Sequence, residues 1–285
     1  MQFLVLGYGF TGERVARLLT RRGYPVLATT TSPRKAAAGI AGFEVIRMDV
    51  REPETLSRLA GRIEAGVRVL HSIPIVESEG RRIDPTPLLL AALGERAARI
   101  VYLSTTGVYG ETLDVDENTP TNPRSETGRL RVAAENAVLG GAWKPLILRP
   151  AAIYGPGRGV HESIRKGSFR LAGDGGNMVS RIHVEDLAAL AGAALLSDLT
   201  GTFPVADEAP CTSREMAEYC ARLVGRPVPP SAPSSSLHHT RRANRRVDGS
   251  AVFRRLGVRL RYPTYTVGVP ASLRAADCES PDPQR

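Results

Sequence analysis

Gly7-Tyr8-Gly9-Phe10-Thr11-Gly12 sets three glycines in a GxGxxG run between an apolar strand, residues 3–7, and a helix whose Val15, Ala16, Leu18 and Leu19 recur at helical spacing until Gly23. That context gives the run a specific physical use. Gly7 permits a tight turn, Gly9 lets the backbone approach a diphosphate, and Gly12 lets the helix pack closely on the sheet. Unpaired amides at the helix start then face the phosphate charge. A plain strand-to-helix turn would not need three glycines at this spacing. The loop therefore predicts a nicotinamide dinucleotide held by Gly7, Tyr8, Gly9, Phe10, Thr11 and Gly12.

The alternation continues along the chain. Residues 24–29, 43–48, 67–73, 99–104 and 146–148 read as strands, and 53–60, 87–98 and 125–139 as helices. Strands alternating with helices of this length predict an α/β fold, a Rossmann-type doubly wound parallel sheet. Beyond Pro150 the pattern loosens into glycine-rich loops with short elements. Residues 1–150 are thus expected to bind the dinucleotide, with 151–270 as a small C-terminal substrate lobe partly interleaved with them. Residues 227–236 read as a surface loop or hinge and 271–285 as a flexible tail.

Composition narrows the function classes. At 285 residues and 42% hydrophobic, the chain can build a sizeable core. Its longest apolar-leaning stretches fall well short of the roughly 20 residues a membrane span needs, and the N-terminus begins with a strand rather than a secretion signal. A cytoplasmic protein is expected. Cys211, Cys220 and Cys278 form no CxxC pair, so packed thiols and no metal site are expected. The formal charge of +9 comes almost wholly from arginine, since only Lys35, Lys144 and Lys166 are lysines. The densest basic patch, Arg241, Arg242, Arg245 and Arg246, lacks interleaved aromatics, so no nucleic acid is expected. A positive cleft would instead concentrate anionic small molecules.

After the second strand, an Asp or Glu would ordinarily bind the ribose diol of NAD. Here the chain reads Thr29-Thr30-Thr31, followed by Arg34 and Lys35. Absence of a carboxylate removes repulsion against a 2′-phosphate, and the cations can pair with one, so NADP is preferred over NAD. The competing account of Arg34 and Lys35 is an ordinary solvated helix surface. Asp49, beside Val50, is placed to bond the adenine amino group, or else to cap the helix ahead of Pro53.

With these motifs in place the sequence resembles the extended short-chain dehydrogenase/reductases, the NAD-dependent epimerase/dehydratase group. The resemblance rests on the glycine loop, Asp49-Val50, Ser104-Thr105-Thr106-Gly107-Val108-Tyr109-Gly110, Asp116-Glu117 with Pro120, Arg149-Pro150 with Tyr154-Gly155-Pro156-Gly157, and Arg181-Ile182-His183-Val184-Glu185-Asp186-Leu187. That group usually spaces its glycines GxxGxxG, and this chain has a tighter spacing. The resemblance implies a hydroxyl residue at Thr105, which polarises the substrate oxygen. It aligns the family's Pro-x-Ser-x-Tyr-Gly-x-x-Lys segment with Pro123 to Arg131, so the catalytic Tyr falls on Thr127 and the Lys on Arg131. It also puts Ser72 and Ile73 at the nicotinamide end, Arg158 and Arg246 near substrate, the strand 203–205 in the substrate lobe, and a homodimer contact on helices 87–98 and 125–139.

An aliphatic hydroxyl is a far weaker acid than a phenol, so Thr127 is a poor proton-transfer group near neutral pH. Arg131 keeps a cation for the cofactor ribose and adds fork-like donors. The Asp-Glu pair of family dehydratases is here Thr106-Gly107, which argues against dehydration of a nucleotide sugar. Glu126, Tyr109, Tyr154 and His183 remain candidate acids or bases; each also has a packing or capping account. His71 reads either as a proton shuttle or as a hydrogen-bonded strand-end histidine. Two functions follow: an NAD(P)-dependent oxidoreductase or epimerase acting on a hydroxyl or carbonyl of a small, sugar-like substrate, or a catalytically inactive dinucleotide-binding sensor or structural protein.

Overall fold

The computed structural model describes residues 1–237 and 243–279. Seven parallel strands form the central sheet: β1 (Phe3–Leu6), β2 (Val26–Thr30), β3 (Glu44–Arg47), β4 (Val67–His71), β5 (Ala97–Leu103), β6 (Lys144–Pro150) and β7 (Gly201–Val205). Their spatial order is β3-β2-β1-β4-β5-β6-β7. The chain winds outward in one direction from β1 and in the other from β4, so the switch point lies between these two strands.

Helices α1 (Gly12–Arg21), α2 (Pro33–Ala37), α3 (Pro53–Ala60), α4 (Thr86–Leu93), α5 (Glu126–Leu139), α6 (Val160–Arg165), α7 (Val184–Leu196), α8 (Ser213–Leu223), α9 (Ser250–Leu256) and α10 (Tyr265–Glu279) complete the chain. Every residue of β1 is buried, yet the two-residue period still sorts its side chains. Phe3 and Val5 join Val15 and Leu19 of α1 and Leu187 and Leu190 of α7. Leu4 and Leu6 join Leu59 of α3, Leu89 of α4 and Val138 of α5 on the opposite face. A smaller core of Tyr154, Ile164, Phe169, Met216, Cys220 and Val269 holds the C-terminal lobe. No helix among the described residues is long and apolar enough to cross a membrane.

Several expectations are corrected. The strand containing residues 203–205 does not lie in the substrate lobe: as β7 it pairs parallel with β6 at the sheet edge. The helix expected over 87–98 ends at Leu93, and β5 begins at Ala97. Residues 227–236 include a short strand, Ser231–Ala232, paired with Leu171–Ala172. Residues 271–279 are not a tail: they continue α10 through Pro270, and Val269 and Ser272 are fully buried. Tertiary contact overrides the helix-breaking tendency of the proline there. Residues 280–285, Arg241, Arg242 and the Cys278 side chain lie outside what is described, whereas Cys211 and Cys220 are buried thiols as expected.

Candidate functional site: the glycine-loop groove

The glycine loop follows β1 at the switch point. Gly7 has φ +99°, a conformation that favours glycine, and Gly9 donates its amide to the Gly7 carbonyl at 2.8 Å. A Cβ on Gly12 would stand 2.0 Å from Gly7 O, whereas a Cβ on Gly9 would meet nothing within 4 Å. The third glycine is thus required by the turn, and the second faces open space of the kind a diphosphate would fill. The hydroxyl of Thr29 accepts the Gly7 amide at 3.1 Å. Thr11 is buried at the start of α1. Tyr8 packs inward: it is 4% exposed, its ring lies 5.7 Å from that of Phe43, and its amide donates to Thr29 O. Phe10 instead links the loop to the C-terminal lobe. The guanidinium carbons of Arg14 and Arg158 lie 4.5 and 5.2 Å from its ring centroid. Arg14 is paired with Glu185 at 2.7 Å, while Arg158 has no ion pair among the described residues.

At the adenine end, the Thr30 hydroxyl accepts the amide of Ser32 at 3.2 Å, and Ser32 caps α2 through the Lys35 amide. Thr31, Arg34 and Lys35 are exposed. Arg34 has no ion pair among the described residues, and the Lys35 ammonium lies 5.5 Å from the Tyr8 ring centroid. Asp49, expected at the adenine amino group, is engaged by Arg51, whose Nε and Nη2 donate to its two oxygens at 2.9 and 2.6 Å. The Arg51 hydrogen bonds hold its carboxyl below the ordinary range. Val50 beside it is buried.

At the other end, the Ser72 hydroxyl lies 3.0 Å from both Leu6 O and Gly7 O, bracing the turn. His71 is a structural histidine. Its Nδ1 accepts the Ile73 amide at 3.3 Å, its Nε2 lies 2.9 Å from Thr86 Oγ, and burial pushes its pKa down to about 3. Thr105 caps a 3₁₀ turn, Thr106–Tyr109, by accepting the Gly107 amide at 3.1 Å. A Cβ on Gly128 would stand 3.4 Å from Gly107 O, so this turn lies against the first turn of α5, which carries Thr127. The Thr127 hydroxyl is 3.1 Å from that of Ser125. Arg131, four residues further along α5, contacts the Ile73 carbonyl at 3.5 Å and Asp84 at 3.0 Å.

Two supports behind this region were not assigned such roles from the sequence. Arg149 forms a buried fork with Glu135, which also accepts from Ser104. Arg245, read only as part of a basic patch, is 6% exposed and donates to the carbonyls of Thr106, Gly110 and Thr112, so it pins the segment after Thr105.

Three of the candidate acids or bases are core residues. Tyr109 is fully buried and hydrogen-bonded to Arg149, and burial raises its pKa. Tyr154 is 3% exposed, and burial likewise raises its pKa. His183 is itself the cap of α7, accepting the Glu185 amide, with Nε2 3.1 Å from the Ser272 hydroxyl; burial lowers its pKa to about 3. Asp186, in the first turn of α7, accepts the amides of Arg261 and Tyr262. Glu126 is exposed, 3.9 Å from Arg82. Arg246 pairs with Asp114 at 2.8 Å on the rim of a cavity of about 1250 Å³ beyond the C-terminal end of β7. Asp207 and Arg259 also line that cavity; Thr105, Thr127 and Arg131 do not.

Residues 3–202 match the NAD dependent epimerase/dehydratase family. The chain belongs to that family. Among similar proteins, Protein YeeZ of Escherichia coli (strain K12) is 29% identical over 281 residues, covering 91% of this chain and 95% of the relative. A functionally unknown conserved protein from Silicibacter pomeroyi DSS has a solved structure that superposes with a TM-score of 0.79 at 32% identity, over 96% of this chain and 99% of that one. The UDP-glucose 4-epimerase of Thermus thermophilus, solved with NAD, shares the fold at a TM-score of 0.81 and 21% identity, over 98% of this chain and 100% of that one. Family membership thus agrees with the strand order and the glycine turn.

Proposed function

We propose that this family member binds NADP(H) along the glycine-loop groove and works as an oxidoreductase or epimerase on a hydroxyl or carbonyl of a small, sugar-like substrate. The observation that carries this reading is the open space at Gly9 beside the switch point, next to a turn that only glycine at position 12 permits. When bound, the dinucleotide supplies or accepts the hydride. The Gly9 backbone and the α1 N-terminus receive the diphosphate. Arg34, lacking an ion pair among the described residues, receives a 2′-phosphate, and no carboxylate follows β2 to repel it. Lys35, Thr30 and Thr31 line the same end. Ile73 faces the nicotinamide.

The Thr105 hydroxyl, which accepts the Gly107 amide, donates a hydrogen bond that polarises the substrate oxygen. Thr127 and Arg131 stand where the family has Tyr and Lys, and no phenol takes the proton-transfer position. A bound water beside Thr105 relays the proton from solvent in this reading, and Thr127 takes no part in the transfer. Arg158 receives anionic groups of the substrate. Residues 151–270 supply the substrate side, and α4 and α5, where Leu88 and Leu139 are exposed, supply a homodimer contact.

A second reading, a dinucleotide-binding sensor without turnover, is favoured by one observation: the cation at the Lys position is neutralised by a carboxylate, Asp84. Single-turnover NADPH oxidation with a panel of aldehydes, ketones and keto-sugars separates the two. Oxidation with any carbonyl supports the enzyme, and tight cofactor binding with no oxidation across the panel supports the sensor.

A further inference from the structure

Arg131 is anchored through one nitrogen. Its Nη1 lies 3.0 Å from Asp84 Oδ2 and also donates to Tyr102 Oη and, at 3.5 Å, to the Ile73 carbonyl. Tyr102 Oη in turn donates to Asp84 Oδ2 at 3.1 Å. Asp84 Oδ1 accepts the Thr86 amide at 3.0 Å and the Thr86 hydroxyl at 2.5 Å. With its proton given to Asp84, Thr86 can only accept from His71 Nε2, which burial keeps neutral. The Asp84 and Arg131 side chains are 5% and 11% exposed. The Nε and Nη2 groups of Arg131 make no hydrogen bond among the described residues.

A lysine ammonium at this position would be a point charge with freely rotating donors, whereas a guanidinium is a planar fork. Fixing one terminal nitrogen through three acceptors therefore fixes the plane and the direction of the remaining donors. We infer that Asp84 is a positioning residue: it holds Nη1 of Arg131 so that the Nε–Nη2 edge meets the nicotinamide-side ribose hydroxyls. The inference rests on the dinucleotide reading above and adds to it a residue that lies 47 positions from Arg131 in the chain. It also explains how an arginine fits a position that burial would make costly for an uncompensated charge.

The test is calorimetric titration of NADPH, NADH and ADP into wild type, Asp84→Asn and Tyr102→Phe, with thermal melts of each. ADP carries the adenosine and diphosphate but lacks the nicotinamide-side ribose. Asp84→Asn is expected to weaken both dinucleotides about tenfold, the scale of a lost charge-assisted contact, and to leave ADP unchanged. Tyr102→Phe, which keeps the ion pair and serves if Asp84→Asn does not fold, is expected to weaken the dinucleotides roughly threefold, again sparing ADP. Unchanged dinucleotide affinity in a folded variant, or an equal loss for ADP, overturns the positioning role and leaves the parent reading standing. If wild type binds neither a dinucleotide nor ADP, the parent reading fails, and this inference with it.

Discussion

The hydroxyl of Ser72, at the end of β4, lies 3.0 Å from the carbonyl oxygen of Gly7, at the end of β1. The contact ties the glycine turn to the neighbouring strand across the switch point. Ser72 also reaches Leu6 O at 3.0 Å, so its hydroxyl is engaged with the backbone of both residues. The glycine turn is therefore held in shape before any ligand arrives, which reduces the ordering cost of binding.

Preference for the 2′-phosphate is expected to depend on Arg34. Arg34→Ala should weaken NADPH about tenfold, the scale of one lost charge-assisted pair at an exposed site, and change NADH by less than roughly twofold. Titration of both cofactors into the variant and the parent checks this. Equal losses for the two would show that Arg34 does not contact the 2′-phosphate.

Thr127→Ala is expected to change a native turnover only modestly, because the hydroxyl is occupied by Ser125 and has little acidity. Thr127→Tyr is expected to raise or create carbonyl reduction, since the new phenol would stand four residues from Arg131 on the same helical face. Single-turnover NADPH oxidation by the three proteins measures both effects. A loss on the order of a hundredfold or more in Thr127→Ala would make the threonine itself a principal catalytic group.

Two buried histidines contribute to the response to acid. His71 and His183 each fall from 6.5 to about 3 in the folded protein, so below pH 6.5 the unfolded chain binds protons that the native state refuses. Their contribution to stability is intact above pH 6.5 and declines as the pH falls towards 3, by an upper bound of about 4–5 kcal/mol per residue. Asp207, raised to about 7 by burial, acts in the opposite sense, and stability falls as pH rises from 3.8 to 7 on its account. The two histidines outweigh it in acid. His183→Asn keeps an acceptor for the α7 cap and removes one titrating group, so denaturant melts between pH 3 and 6.5 should show a shallower loss of stability than wild type. An unchanged slope would mean that His183 is not held neutral.

Much of this fold is legible in sequence because its signals are local. The apolar runs that become β1, β2 and β4, the helix at Pro53–Ala60 and the three-glycine turn each declare themselves within a few residues. Local signals misled at Pro270, where a breaker reads as a chain end, yet burial of Val269 and Ser272 carries α10 through it. Elsewhere they are silent. Arg99, fully buried, donates to the Ala194 and Leu199 carbonyls at the end of α7, partners 95 and 100 residues away. Asp84 and Arg245 likewise act at long range, and no spacing rule marks them in advance. Tyr109, Tyr154 and His183, which stand in recognisable motifs, are buried where the motifs alone leave a packing and a catalytic account open.

The central claim is that the diphosphate of a nicotinamide dinucleotide lies against Gly9. Gly9 is not at positive φ, and a side chain there would enter open space, so Gly9→Val should fold. Calorimetric titration of NADPH into wild type and Gly9→Val, with circular dichroism confirming that both are folded, tests the claim most directly. The account predicts binding to wild type and a loss of about a hundredfold or more in the variant, because the branched side chain fills the space the phosphates need. Wild-type protein that does not bind, or a folded Gly9→Val that binds within about threefold of wild type, would contradict it.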